Sequence, residues 1–210
     1  MLKSRLCIAF FAFAVGCAPA QKPLTDYVNP MLGTATLWDS VDLGFKPTKR
    51  TWGAEVFPGS SLPNAMVQVS PVTKFHSGAG YQYEDSVIYG FTHTNKGHWN
   101  LCHIPLLPVT GTPTPGDYCS PFSHERESAA PGYYQVFLDR YGVDAQLSST
   151  LRCAFHKYTY PAGAAVAVLA DLQRSNEHVR AWDIRKEGNN VFAGWQQTGE
   201  KMYFYAVANR

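Results

Sequence analysis

The feature that most constrains this chain is its punctuation. Short runs rich in Val, Ile, Thr, Tyr and Phe recur between clusters of Gly, Pro and Asn, with no helix signal of comparable strength. Ala65–Ser70 has strand composition between Pro63 and Pro71, and Val87–Thr92 and Ile104–Thr110 are short apolar or β-branched runs. Tyr133–Asp139 and Val143–Thr150 flank Tyr141-Gly142 and read as a hairpin, with another strand at Arg152–Tyr160. Ala164–Leu172 is a continuous apolar run, consistent with a strand buried on both faces, although its alanines leave a helix open. Val179–Lys186 and Val191–Gln197 surround Gly188-Asn189-Asn190, residues that tolerate positive φ, and Lys201–Ala208 supplies a last strand. Many short strands at fairly regular spacing predict an all-β chain, an antiparallel β-sandwich or barrel rather than a βαβ fold. At 210 residues the core can be sizeable, so folding requires no disulfide scaffold or metal staple.

Residues 1–20 stand outside that pattern. Lys3 and Arg5 precede a short apolar stretch, Leu6–Val15, far below the roughly 20 residues that span a bilayer. This is a signal peptide with two competing processing sites. Ala14-Val15-Gly16-Cys17 has the form of a lipobox, which would leave Cys17 lipidated, and it is the preferred reading. Ala18-Pro19-Ala20 fits ordinary cleavage. Either route exports the protein, to the periplasm or the outer-membrane surface of a bacterium. Residues 21–25 then read as a linker and 26–210 as the sandwich.

Removal of the leader takes two positive charges and leaves 16 basic against 16 acidic residues. A neutral chain argues against nucleic acid and against a polybasic membrane surface, leaving only a lipid at Cys17 as a membrane contact. Cys102, Cys119 and Cys153 allow at most one disulfide, with pairing unreadable from sequence, and no CxxC pair suggests a zinc ribbon. Charged residues make up 16% and aromatics 14%. That balance suits a β protein that stacks rings on neutral ligands, and suits a plain sandwich core equally well.

Three blocks carry a family resemblance. Tyr27 to Thr34 reads YVNPMLGT; Phe57 to Pro63 reads FPGSSLP and runs into MVQVSP at Met66 to Pro71; Gly80 to Tyr83 reads GYQY, followed by IYGFTHT at Ile88 to Thr94. In this order and spacing they resemble the N-terminal region of glycoside hydrolase family 92, the exo-acting α-mannosidases, over about residues 26–208. Leu37–Thr51 looks like an insertion, and Asn95–Asn100 varies a Ser/Gly-rich loop, which marks a divergent branch. The resemblance implies a two-domain enzyme: an N-terminal β-sandwich on a larger (α/α)6 barrel, hydrolysing α-mannosides of N-glycans or mannan with inversion. It also implies a carboxylic acid, a carboxylate base and Ca2+, all held by the barrel. The chain stops at Arg210 directly after a strand, so truncation of a longer protein is the expectation, with no catalytic residue in this part. The alternative is a free-standing carbohydrate-binding lipoprotein without hydrolytic activity.

The stretch from His93 to His103 is the richest in sugar-binding chemistry. Its three histidines, His93, His98 and His103, recur every five residues, a spacing that puts three imidazoles on one face of neither a strand nor a helix. A zinc site would need an irregular loop, so no metal site is assigned. A sugar-contact loop fits better: the Trp99 indole offers a plane for a pyranose, and His93 and His98 offer hydrogen bonds to its hydroxyls. Trp99 and His93 can equally be packing residues. Gly33 and Thr34 close the first block, either approaching substrate with their backbone or forming a turn that needs glycine. Asp39, Asp42, Glu55, Glu84 and Asp85 are the carboxylates available for pairing, and each reads better as a solvated or turn residue.

Overall fold

The structure is a computed structural model that describes residues 21–36, 44, 55–95 and 101–209. The leader, Cys17, the 37–51 insertion apart from Gly44 and including Asp39 and Asp42, and the loop residues His98 and Trp99 lie outside the described residues. Strands are numbered in chain order. One antiparallel sheet runs β1 (Ser60–Ser61), β2 (Gln68–Val72), β4 (Gly90–Thr92), β5 (Leu106–Thr110) and β11 (Val166–Ala170). A second runs β10 (Ala154–Thr159), β9 (Val143–Ser149), β8 (Tyr133–Leu138) and β7 (Glu127–Ala130). Two smaller sheets pair β3 (Val87–Ile88) with β6 (Ser120–Pro121), and β12 (Ala181–Lys186) with β13 (Val191–Gln197) and β14 (Lys201–Val207).

The first two sheets enclose one apolar core. On β8, Tyr134, Val136 and Leu138 point inward, and on β9 Val143, Ala145 and Leu147 do the same, all of them buried. The intervening positions face outward, where Gln135 and Gln146 both donate to the Asp144 carboxylate. This period of two is what sorts the strand into a wet and a dry face. Val69, Phe91, Leu107 and Val109 meet these side chains from the opposite sheet, and each buried aliphatic contributes about 1.5–3 kcal/mol. A carboxylate enters the layer. Glu127 is held by the hydroxyls of Tyr81 and Tyr134, at 3.0 and 2.5 Å, and lies 2.5 Å from His124 Nδ1.

The all-β antiparallel expectation holds, and both hairpins form in register: Leu138 faces Val143, and Lys186 faces Phe192. Two local readings change. Ala164–Leu172 forms β11, but at the edge of the first sheet, with Val166 and Val168 58% and 49% exposed rather than buried on both faces. Val87–Thr92 is split at Tyr89, so that β3 joins β6 while β4 joins β2 and β5. Gly90 opens β4 directly after the split, where a Cβ would stand 3.2 Å from the Leu106 carbonyl oxygen. Cys102, Cys119 and Cys153 are all free thiols.

Candidate functional site

The three sequence blocks, far apart along the chain, become neighbours. Tyr83 N–H donates to Thr34 O, linking the first block to the third. Gln68 N–H donates to His93 O, and the Asn95 side-chain amide returns a bond to Gln68 O at 2.7 Å, linking the second to the third. Gly33 holds φ +88°, and a Cβ on it would press to 3.1 Å from Val56, so glycine is required at this turn. Thr34 is fully buried and its hydroxyl donates to Met31 O. Both residues therefore serve the turn's own geometry here.

Three of the five described non-glycine residues with positive φ cluster in residues 101–104. Leu101, Cys102 and Ile104 hold positive φ of 66°, 59° and 55°. For a β-branched residue such as Ile104 this is a true outlier, costing about 1–2 kcal/mol. Distant partners hold it there. Gln196, completely buried on β13, accepts from Ile104 N–H at 2.8 Å and donates to Leu172 O and Arg174 O. Cys102 N–H donates to Thr94 O, His103 N–H to Thr94 Oγ1, and Asn176 N–H to Leu101 O. Glu177 completes the seam, accepting from Gly199 N–H at 3.2 Å. Bonds from the Thr198 hydroxyl first, and from backbone N–H groups, hold its carboxyl below the ordinary range.

Two histidines of the proposed loop sit in this seam with separate partners. His103 Nδ1 lies 2.8 Å from Thr94 Oγ1 and its Nε2 2.9 Å from Thr198 Oγ1. Burial lowers its pKa, opposed by the charge of Glu177. His93 Nδ1 lies 2.7 Å from Ile104 O and its Nε2 3.0 Å from His156 Nε2. Burial pushes His93 down to about 4. Both of its nitrogens thus face the protein, as supports rather than as free hydroxyl partners. Cys102 is buried, its thiol pushed up to about 12 by desolvation, so it is no nucleophile. Among the described residues no three His, Cys, Asp or Glu side chains are placed to hold a metal ion.

Beside the seam lies open, ring-lined space. A groove of about 500 Å³ is bordered by Phe75, Tyr89, Arg174, Glu84 and Asp85, and a second hollow of about 250 Å³ shares Phe75 and Arg174 and reaches Glu177. Glu84 accepts from Thr36 N–H at 2.6 Å, and Asp85 from the Thr73 hydroxyl at 2.8 Å. The adjacent acids are therefore engaged separately instead of forming a catalytic pair. Glu55 is half-buried at the start of a described segment. Sequence reasoning missed Gln196, Glu177, Thr198 and His156. Only the last had a local signal, since alternation along β10 puts His156 on the inward face with Ala154 and Tyr158.

The fold and this rim define an antiparallel β-sandwich domain with a polar, aromatic-bordered groove. Residues 27–210 match the model of the Glycosyl hydrolase family 92 N-terminal domain, and the chain belongs to that family. The structure is similar to the family GH92 α-mannosidase BT3965 from Bacteroides thetaiotaomicron, at TM-score 0.74 and 27% identity, covering 88% of this chain and 25% of that one. It is also similar to the GH92 family glycosyl hydrolase ccman5, at TM-score 0.59 and 26% identity, covering 71% of this chain and 23% of that one. The inverting mannosidase BT2199 from the same Bacteroides shares the fold, at TM-score 0.67 and 24% identity, over 86% of this chain and 24% of that one. This chain thus spans about a quarter of the length of the structures it matches. No curated protein matches it.

Proposed function

We propose that this chain is the N-terminal sandwich of a Ca2+-dependent, inverting exo-α-mannosidase that acts on the mannose-terminated ends of N-glycans or mannan. The family match across residues 27–210 carries the reading, supported by fold agreement with a GH92 α-mannosidase. The sandwich shapes the mouth of the pocket. Trp99 supplies a stacking plane and His98 a hydroxyl partner, while His93 braces the layers beneath the loop and Gly33 and Thr34 hold the turn of the first block. The acid, the base and the Ca2+ ligands belong to an (α/α)6 domain of the same polypeptide. The described residues offer no cage that fits the ion. An exported protein, lipidated at Cys17 and held at the periplasmic or outer surface, suits a polymeric glycan as substrate. Among the described residues no helix is long and apolar enough to cross a membrane.

The test compares two proteins on 4-nitrophenyl α-mannoside and α-mannobiose. The full-length polypeptide should turn over and release the β-anomer first, while residues 21–210 alone should not turn over. In the full-length enzyme, Trp99→Ala should lower kcat/KM by about tenfold or more, a loss of roughly 1.4 kcal/mol of transition-state binding. Turnover by the sandwich alone would place the acid and base wrongly. An unchanged kcat/KM would assign Trp99 to packing.

A further inference from the structure

We infer that His93 and His156 form a proton-ordered clasp between the two layers of the sandwich, closed when both imidazoles are neutral and forced open when both are protonated. His93 leaves β4 of the first sheet, and His156 is on β10 of the second. Their Nε2 atoms stand 3.0 Å apart, with ring centroids at 5.0 Å. The outer partners decide where each proton sits. Ile104 O can only accept, so His93 carries its proton on Nδ1 and its Nε2 is a lone pair. His156 must then donate from Nε2, which leaves its Nδ1 to accept from the Tyr158 hydroxyl, 2.7 Å away. The order runs Tyr158 O–H to His156, His156 N–H to His93, and His93 N–H to the Ile104 carbonyl. No other assignment with two neutral rings satisfies all three contacts.

Among the described residues the surroundings offer no charge to help a cation. Phe91 from β4 lies against His156 at 6.4 Å between centroids, Tyr158 follows on β10, and Tyr160 just beyond the strand packs edge-on against Tyr158. On β9, Leu147 is the cross-strand neighbour of His156, and a backbone oxygen of Ile104 faces His93. Backbone groups of Ile104 and His103 are the partners that favour charge on His93, and no carboxylate or ammonium faces the pair among the described residues of these elements. A first added proton can be accepted by reversing the chain, with His156 shifting its own proton to Nδ1 and Tyr158 becoming the acceptor. A second puts two N–H groups and two cations against each other, and the contact must break.

The sign follows from burial, which depresses both histidines: His93 falls from its ordinary 6.5 to about 4, and His156 falls too, further lowered by His93. Well above pH 6.5 neither the folded nor the unfolded chain binds these protons, so the clasp's contribution is complete there. As pH falls from 6.5 towards 4 the unfolded chain takes up protons first, and stability is lost across that window.

Long-range 1H–15N correlation spectra of the imidazoles, recorded on the full chain from pH 8 to 4, test the order directly. At neutral pH His93 should be protonated on Nδ1 and His156 on Nε2, and both should titrate below the ordinary histidine value of 6.5. The opposite tautomers, or a midpoint near 6.5 for both, would overturn the clasp. A second arm follows Tm over the same range in wild type and in His156→Gln, whose side-chain amide can still donate to His93 without titrating. Wild-type Tm should fall from pH 6.5 to 4 clearly more than that of the variant. Identical profiles would overturn the proposal even if the spectra matched. Neither arm involves a glycan, so failure here leaves the mannosidase reading standing.

Discussion

The interior between the two large sheets and the seam between β13 and residues 101–104 are both closed to water, yet they are held in opposite ways. The interior is apolar and periodic, and its shape follows from which side of each strand is dry. The seam is polar and aperiodic. Gln196, His103, Thr94, Thr198 and Asn176 are all at most 7% exposed, and each is hydrogen-bonded within the protein. An apolar core is non-directional and tolerates approximate packing. A buried polar network fixes one geometry and is costly when half satisfied. The domain uses the first to hold its layers together and the second to hold three left-handed residues, Leu101, Cys102 and Ile104.

The largest effect should come from the interior. Leu138→Ala removes a fully buried side chain from β8 and leaves a cavity against the facing sheet, costing about 2–5 kcal/mol. Denaturant unfolding should show the loss globally, with every strand of the sandwich becoming less protected against amide exchange. If only β8 and β9 lost protection, the interior would be several local clusters instead of one core.

The seam should respond less strongly and more locally. Gln196→Met keeps the volume but leaves Ile104 N–H and two carbonyls without their partner. An orphaned buried N–H costs about 1–3 kcal/mol, the smaller part of what the core truncation costs. Amide exchange should quicken at His103 and Ile104 while Val136 and Leu147 keep their protection. Equal loss in both places would erase the distinction between core and seam. Relaxation of Ile104 to negative φ, seen as a change in its backbone couplings, would show that Gln196 sustains the left-handed backbone.

These two regions were not equally legible beforehand. The β8–β9 and β12–β13 hairpins could be read because their turn residues and their alternation lie within a dozen positions of each other. β7 was missed because Glu127-Ser128-Ala129-Ala130 has no β-branched or aromatic residue, and β1 because two residues make no pattern. The Ala164–Leu172 run was read correctly in type and wrongly in place, since an apolar run does not say how many neighbours its strand will have. In the site, the stretch around His93 stood out by composition, but its partners did not. Gln196 meets Ile104 across 92 residues, Thr198 meets His103 across 95, and His156 meets His93 across 63. Such pairings arise from the topology of the sheets, and no local spacing encodes them.

The smallest effect should fall on the outer face of the three-stranded sheet, which belongs to neither region. Along β14 the side chains of Tyr203, Tyr205 and Val207 are 71%, 66% and 63% exposed, so little apolar area is removed from water there. Tyr203 faces Trp195 across the strand pair, and the Lys201 ammonium sits 3.6 Å from the centre of that indole. A cross-strand pair of this kind contributes about 0.2–1 kcal/mol, and an exposed cation–π contact a similar amount. Tyr203→Ser removes the first and leaves the second, so it should cost about 0.5 kcal/mol, read as a small shift in the urea midpoint with an unchanged slope. A loss as large as that of Gln196→Met would mean that this aromatic face is packed in solution. It would then count with the interior, as a third place where burial rather than hydrogen bonding holds the domain.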